Sequence, residues 1–432
     1  MSSTTWSAPY ATHPVVATVP VPGSKSETNR AYVLAALSAG PSTITGALES
    51  RDATLMRDGL TALGVRLEKA YPAGICVEHV IPPAHFTPAP DGIDVGLAGT
   101  VMRFLPAVAA LAPGATSFYG DPRASERPIA PLLRALSALG VRVDGERIPF
   151  TMCSPTRLSG RTMSVAAQES SQFVSALLLA GARYPEGIEL LLTSGRVPSR
   201  PHIDMTIAML RARGVLVTEG HGSFTIAPSP IAAIAATVTP DLSNAAAFLA
   251  AGVLTGGQVK VPDWPFETTQ PGDLIRAIIV GFGGRVERTA TGVVVAGADG
   301  DLSACDLDLG AASELTPVVA ALAAFSRGTS HLGGIGHIRG HETDRIAAIA
   351  ATLRAVGVRV EETADGLNIT GATSRLTPAL LPTYADHRIA HLAALIGLRV
   401  PGVLLDDVAT TAKTMPDFPA TWRAMVTGEP PR

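Results

Sequence analysis

Pro22-Gly23-Ser24-Lys25-Ser26-Glu27-Thr28-Asn29-Arg30 is the stretch on which the reading of this chain turns. An extended apolar run, Val15-Val16-Ala17-Thr18-Val19, leads into it. Ala31-Tyr32-Val33-Leu34-Ala35-Ala36-Leu37 follows with helical spacing and stops near Gly40, a usual residue just past a helix end. The nonapeptide therefore reads as a strand-to-helix turn. Ser24 and Glu27 fit the S-x-x-E capping box, which satisfies backbone N–H groups at a helix start. Lys25, Ser26 and Arg30 crowd the positive end of that helix. Free N–H groups, the helix dipole and two cations on one turn suit a dianion such as a phosphate ester. A Walker A loop is excluded, because Ser24 rather than Gly precedes Lys25.

The same arrangement recurs along the chain. An apolar helix, a Gly and a strand-like alternation appear at Leu60–Glu68, Leu136–Asp144, Met209–Val217, Ile278–Glu287 and Leu353–Glu361. The glycines end the helices, and the residues after them alternate as a strand does. Successive copies lie roughly 70–76 residues apart, longer than solenoid periods of about 20–50. Each copy is thus a small α/β module. A sixth helix is expected at Phe418–Met425, where the chain runs out before a hairpin. The unpaired strand Val15–Val19 is expected to complete it. Three modules would then form an N-terminal domain, 22–240, and three a C-terminal domain, 1–21 plus 241–432. The chain would cross between them near 20–22 and near 240, with prolines stiffening both linkers.

Length and composition agree with two globular domains: 432 residues, 47% hydrophobic and 16% charged. A net charge of −3 provides no basic field for nucleic acid. Cys76, Cys153 and Cys305 are odd in number and far apart, which fits neither a disulfide framework nor a zinc site and points to a reducing compartment, the cytoplasm. Met1–Trp6 lacks the basic region and apolar core of a signal peptide, and no apolar run is long enough to span a bilayer.

Polar clusters sit at the predicted helix starts. Leu97-Ala98-Gly99-Thr100-Val101-Met102-Arg103 opens one helix, and Gly99 allows a ligand close to the backbone. Arg127 stands immediately before Pro128, placed to hold a carboxylate or phosphate bidentately. Ser170-Ser171-Gln172 offers more hydrogen-bonding groups than one N-cap needs, which suits a polyol or phosphate ester. Ser199-Arg200-Pro201-His202 opens a helix in the same manner. Glu314 lies in an otherwise apolar segment, as a helix-start charge or a group that moves protons. Gly336–Arg345 is the densest polar stretch of the C-terminal half. It places Glu342 and Arg345 on one helical face and lacks the H-E-x-x-H zinc spacing. Asp386-His387-Arg388 and Thr411-Ala412-Lys413-Thr414 precede two more helices. Lysine is scarce, at positions 25, 69, 260 and 413, and two of the four sit in these clusters. Surface charge accounts for any one cluster alone. Together, Lys25, Arg30, Arg127, Arg345, Arg388 and Lys413 with two carboxylates are expected to converge on one cationic cleft for two small anions.

In this order the motifs are those of a known family. The chain resembles the enolpyruvyl transferases, and closely the 5-enolpyruvylshikimate-3-phosphate synthases, from about Pro22 to Pro419. The resemblance implies an α/β (α+β) fold: a two-domain inside-out α/β barrel with three βαβαββ units per domain, a pseudo-sixfold repeat. It implies transfer of the enolpyruvyl group of phosphoenolpyruvate to the 5-hydroxyl of shikimate 3-phosphate, with release of phosphate. By the same resemblance Ser26, Arg30, Ser170, Ser171, Gln172, Ser199, Glu314 and His341 bind shikimate 3-phosphate. Lys25, Gly99, Arg127, Gln172, Arg345, Arg388 and Lys413 bind phosphoenolpyruvate, and Lys25, Glu314 and Glu342 are the catalytic set. Domain closure over the substrates, inhibition by glyphosate and a monomeric state are implied as well, and no stretch argues for a metal or an organic cofactor. The chain departs from many relatives at several positions: Leu97 stands for Asn, Phe104 for Pro, His202 for Tyr, His337 for Asn, His341 for Lys and Glu314 for Asp. His341 is expected to make the rate more sensitive to pH near neutrality than a Lys would. The related transferase acting on UDP-N-acetylglucosamine usually carries a Cys before the arginine of the phosphoenolpyruvate site. Tyr119–Arg127 has none. A non-catalytic sensor of a phosphorylated metabolite would have no use for Glu314 and Glu342 in a cationic cleft.

Overall fold

The computed structural model describes residues 5–193 and 197–429. The chain divides into two compact units, Gly23–Val238 and Met1–Pro22 with Thr239–Arg432, each around its own hydrophobic core.

In the unit Gly23–Val238 one module is built three times. Each sheet has four strands, with a parallel pair on one side and an antiparallel hairpin on the other. In the second module Ile93–Asp94 runs parallel to Gly114–Tyr119, followed by Phe150–Ser154 and Arg142–Asp144. The third repeats this with Thr162–Val165, Ile188–Leu192, Ser223–Ile226 and Val217–Gly220. In the first module the outer parallel strand comes from far along the chain: Ala235–Thr237 pairs with Ser42–Thr45.

The second unit follows the same plan, with one difference from the sequence expectation. Val16–Thr18 does not complete the sixth module. It pairs in parallel with Gln258–Pro262 and so supplies the outer strand of the fourth. The sixth sheet is instead finished by the short strand Trp6–Ser7, antiparallel to Leu404–Leu405. The physical reason lies in register: Gln258 donates to Val15 O and Val19 donates to Lys260 O, so an exposed strand edge in the fourth module captures the segment.

The module repeat explains which helices are buried. The first helix of each module, Lys25–Ala36, Gly99–Ala109 and Ser171–Gly181 in one unit, packs against its two counterparts. In the other unit Leu242–Thr255, Thr316–Ala324 and His387–Arg399 do the same. Every residue of Gly99–Ala109 and Thr316–Ala324 is buried. A helix surrounded on all sides is apolar nearly all round, and these are, save Thr100 and Arg103 in the first and Thr316 at the start of the second. The second helix of each module lies on the outside and ends at a glycine. Gly64, Gly140, Gly214, Gly283 and Gly357 have φ of 96, 88, 79, 95 and 96°, the left-handed turn that an L side chain resists. The last helix, Phe418–Thr427, is fastened by Trp422, whose ring packs at a tilt against Phe418 and Phe248 at centroid distances of 5.1 and 5.4 Å. No helix among the described residues is long and apolar enough to cross a membrane.

Candidate active site

The polar groups of these buried helices cluster at and near their starts. In the unit Gly23–Val238 the starts of the three buried helices meet. Ser24 caps the first, accepting from Glu27 N at 3.4 Å. Asn29 donates to Thr100 Oγ1 at the start of the second. Ser170 caps the third, accepting from Gln172 N at 3.2 Å. Gly99 lies between Arg127, Arg103 and Gln172: a Cβ placed on it would come within 2.9 Å of Arg127 Nη2, 3.0 Å of Arg103 Nη1 and 3.1 Å of Gln172 Oε1. Arg127 is tied by Nη1 to Leu97 O at 2.9 Å, while its buried Nε has no partner. Lys25 Nζ is 3.5 Å from Asp52 Oδ2, a carboxylate in the first turn of Arg51–Ala62.

Arg30 is buried at this meeting of helices. It is 1% exposed and donates to Thr206 Oγ1, Ser26 O, Ser175 Oγ and His202 O at 2.8–3.2 Å. Its guanidinium lies 5.2 Å from the Phe104 ring centroid. Burial, offset in part by Glu27, pulls its pKa down to about 9, so it remains charged at neutral pH. Arg30 thereby joins the first helix to Ser171–Gly181 and to Arg200–Arg211. The last of these starts at Ser199, which has a left-handed backbone, φ 53° and ψ 43°. Such a conformation in a non-glycine residue costs of order 1–3 kcal/mol and holds only where packing enforces it.

In the second unit the helix starts carry an alternation of charges. Glu342 is held by both oxygens: Arg345 Nη2 donates to Oε2 at 2.9 Å and Lys413 Nζ to Oε1 at 2.8 Å. Arg345 also donates to Asp386 Oδ2 at 2.7 Å and to Oδ1 at 3.3 Å. Its Nη1 lies 3.0 Å from His341 Nδ1. A guanidinium only donates, so Nδ1 accepts there and carries no proton. Burial works against the charge of Arg345, but Asp386 and Glu342 outweigh it and hold the group above its ordinary pKa. Arg388 donates to Ser243 O at 2.8 Å; burial, with the like charge of Arg345, lowers its pKa against the pull of Asp241. Glu314, in the short turn before Thr316–Ala324, accepts from Ser243 Oγ at 3.4 Å, and its charge reaches Arg345 and Arg388. His337 Nε2 is 2.9 Å from Ser313 Oγ, and its ring meets that of His341 edge-on at 5.7 Å. Asp386 caps His387–Arg399 after two consecutive left-handed residues, Tyr384 and Ala385, with φ of 55 and 54°.

The structure therefore gathers Ser26, Arg30, Gly99, Arg127, Ser170, Ser171, Gln172 and Ser199 at neighbouring helix starts of one unit, with Lys25 in an ion pair beside them. It gathers Glu314, His341, Glu342, Arg345, Arg388 and Lys413 in the other. The sequence motifs hold Arg103 and Asp386 without giving either a role, and they leave out Asp52, Ser175, Thr206 and Ser243 as parts of these networks. A signal existed for Asp386, as the N-cap beside Arg388, and for Ser243, inside Asp241-Leu242-Ser243-Asn244 at an apolar helix start. Ser175 and Thr206 lie mid-helix and carried none. Cys76 does lie near Glu49 and Glu78, the one group of metal-ligand types among the described residues. Lys69 pairs with Glu49, and Arg57 is 3.2 Å from Glu78, so cations already hold that cluster.

A family model described as EPSP synthase (3-phosphoshikimate 1-carboxyvinyltransferase) matches residues 9–422. Among solved structures, an EPSP synthase from Acinetobacter baumannii superimposes with a TM-score of 0.76 at 23% identity, covering 95% of each chain. A second structure of that organism's EPSP synthase gives 0.74 at 23% identity, over 95% of this chain and 96% of that one. The enolpyruvyl transferase NikO from Streptomyces tendae gives 0.73 at 17% identity, over 96% of both. At such identities the structural likeness speaks for the fold.

Proposed function

The chain belongs to the EPSP synthase family, and we propose how its residues divide the work of that family's reaction. The reaction moves the enolpyruvyl group of phosphoenolpyruvate to the 5-hydroxyl of shikimate 3-phosphate and releases phosphate, a step of aromatic amino acid biosynthesis. It asks for a base to take the hydroxyl proton and an acid to protonate the methylene carbon of phosphoenolpyruvate, which makes C2 electrophilic. The tetrahedral adduct then expels phosphate, a departure that fixed cations stabilise.

Glu314 takes the hydroxyl proton and Glu342 acts at the enolpyruvyl carbons, with Lys25 serving the phosphate that leaves. Arg345, Arg388 and Lys413, with Lys25, Gly99, Arg127 and Gln172, hold phosphoenolpyruvate. Ser26, Ser170, Ser171, Gln172, Ser199, Glu314 and His341 hold shikimate 3-phosphate, and Arg30 adds the guanidinium N–H that its four protein bonds leave over. Glyphosate competes with phosphoenolpyruvate, and the protein works as a cytoplasmic monomer.

The observation that carries this reading is Glu342 gripped by Arg345 and Lys413. The two cations are spaced to share one carboxylate, as they would share an anionic substrate. A substrate anion that takes them over leaves Glu342 with less positive charge around it, which favours its protonated, proton-donating form. A site built only to bind anions gains nothing from a carboxylate there. Phosphate release tests the reading, with phosphoenolpyruvate and shikimate 3-phosphate in metal-free buffer and UDP-N-acetylglucosamine as the competing acceptor. Release with shikimate 3-phosphate alone is the expected result. Release with the nucleotide sugar alone would overturn the acceptor assignment, and binding without release would leave a sensor.

A further inference from the structure

Gln172 and Arg103 form a pair whose geometry goes beyond binding. Arg103 is buried, 2% exposed, one turn into Gly99–Ala109. Its Nη1 donates to Gln172 Oε1 at 2.8 Å and its Nη2 to Pro128 O at 2.9 Å, the carbonyl just after Arg127. Its guanidinium carbon lies 5.3 Å from the centroid of Phe173, the residue after Gln172. Two hydrogen bonds and a ring contact thus fix the plane of the guanidinium.

We propose that Arg103 is a positioning residue of the enolpyruvyl transfer: it holds Gln172 by the amide oxygen, so that Gln172 offers its ligand only the amide nitrogen. The inference rests on the reaction assigned above and deepens it.

A carboxamide can turn either end to a ligand, and only a neighbouring group can tell the two apart. Arg103 does, because a guanidinium has no lone pair to give and only the oxygen can face it. The free end of Gln172 is then an NH2, which recognises an acceptor and has nothing to offer a hydroxyl that must donate. Its neighbours are donors as well. Arg127 presents a buried Nε with no partner, and Gly99 begins a helix whose first N–H groups are unused within the helix. Gly99 also leaves the pair its room, since a Cβ would press on Arg103 Nη1, Gln172 Oε1 and Arg127 Nη2 together. A cradle of donors alone selects a group that only accepts, a carboxylate or a fully ionised phosphate. Arg103 sets that selectivity for the phosphoenolpyruvate end of the reaction without touching the substrate.

Steady-state kinetics of the full chain test this. Gln172→Glu keeps the shape and the bond to Arg103 but turns a carboxylate oxygen where the NH2 stood. The KM for phosphoenolpyruvate should rise about 100-fold or more, while kcat changes by less than about tenfold. Arg103→Met should raise that KM about tenfold in the wild-type background and by less than about threefold beside Gln172→Ala, because the two act through one contact. Arg103→Lys, which keeps one donor, should recover most of the loss. A Gln172→Glu variant with its KM within threefold of wild type would overturn the proposal. So would an Arg103→Met cost that is the same in both backgrounds, the mark of a purely structural arginine. Should Arg103→Met not fold, Gln172→Glu decides alone, since it removes no partner of Arg103. The wild-type rate separates the levels: an inactive wild type overturns the reaction assignment, whereas an active wild type with equal costs overturns only the role of Arg103.

Discussion

Glu342→Gln is the perturbation for which the structure gives the sharpest numbers. Glu342 is 8% exposed, and each of its oxygens has its own cation. A glutamine keeps one oxygen for one cation and turns an NH2 toward the other. One charge-assisted hydrogen bond, worth about 1.5–3 kcal/mol, is lost, and the second weakens to a neutral acceptor's strength. Arg345 still has Asp386, so its charge is not left alone in the interior, and the net cost falls near the low end, about 2–3 kcal/mol. At about 2–4 °C per kcal/mol for a unit of roughly this size, the second unit should melt about 5–10 °C lower. Catalysis should suffer more. Removing a general acid–base group typically costs about 10²–10⁴ in rate, so kcat should fall by that factor. The KM for phosphoenolpyruvate should stay level or drop, because the substitution removes a negative charge from among Arg345, Arg388 and Lys413. Phosphate-release kinetics beside a thermal melt read all three quantities. A kcat within threefold of wild type, or a KM raised tenfold with kcat intact, would refute the proton-transfer role and leave Glu342 as a binding or structural group.

Other outcomes follow from the same geometry. Gly99→Ala places a Cβ against Arg127, Arg103 and Gln172 and should raise the KM for phosphoenolpyruvate at least about tenfold, a shift worth about 1.4 kcal/mol; an unchanged KM would show that the cradle yields. His341→Lys should flatten the rate profile between pH 6 and 8, because imidazole is the side chain whose ordinary charge change falls near that range and an ammonium's does not; an unchanged profile would count against a role for His341. His391 is buried with neither ring nitrogen partnered, and burial, reinforced by Arg388, holds its pKa well below 6.5. The unfolded chain therefore takes up a proton near pH 6.5 that the folded one refuses, and stability is lost as pH falls below that value. His391→Leu should lessen that loss by about 1.4 kcal/mol per pH unit between pH 6 and 5, read from urea unfolding at each pH; parallel slopes in the two proteins would refute it.

What the sequence by itself determined is local. The cap at Ser24 forms, its hydroxyl accepting from Glu27 N, because that partner lies three residues on and needs no other part of the chain. The repeated helix–Gly–strand unit was legible for the same reason: periodicity marks the helix, and only the left-handed region lets a helix turn so sharply into a strand. The spacing of three between Glu342 and Arg345 does pair them, but not on a helical face: Glu342 lies before the N-cap Asp344, outside the helix Arg345–Ala355, and reaches Arg345 from the preceding turn. Pairings between distant segments were decided by the tertiary structure. Val16–Thr18 could have joined any open sheet edge, and its alternation does not say which. The fourth module took it, and Trp6–Ser7 finished the sixth. Arg30 read as a cation awaiting a phosphate until folding brought Ser175 and Thr206 to it from positions 145 and 176 residues away. Asp386 reaches Arg345 across 41 residues, and Arg103 meets Gln172 across 69. A sequence pattern specifies which face a residue occupies; the packing of buried helices specifies which start lies beside which.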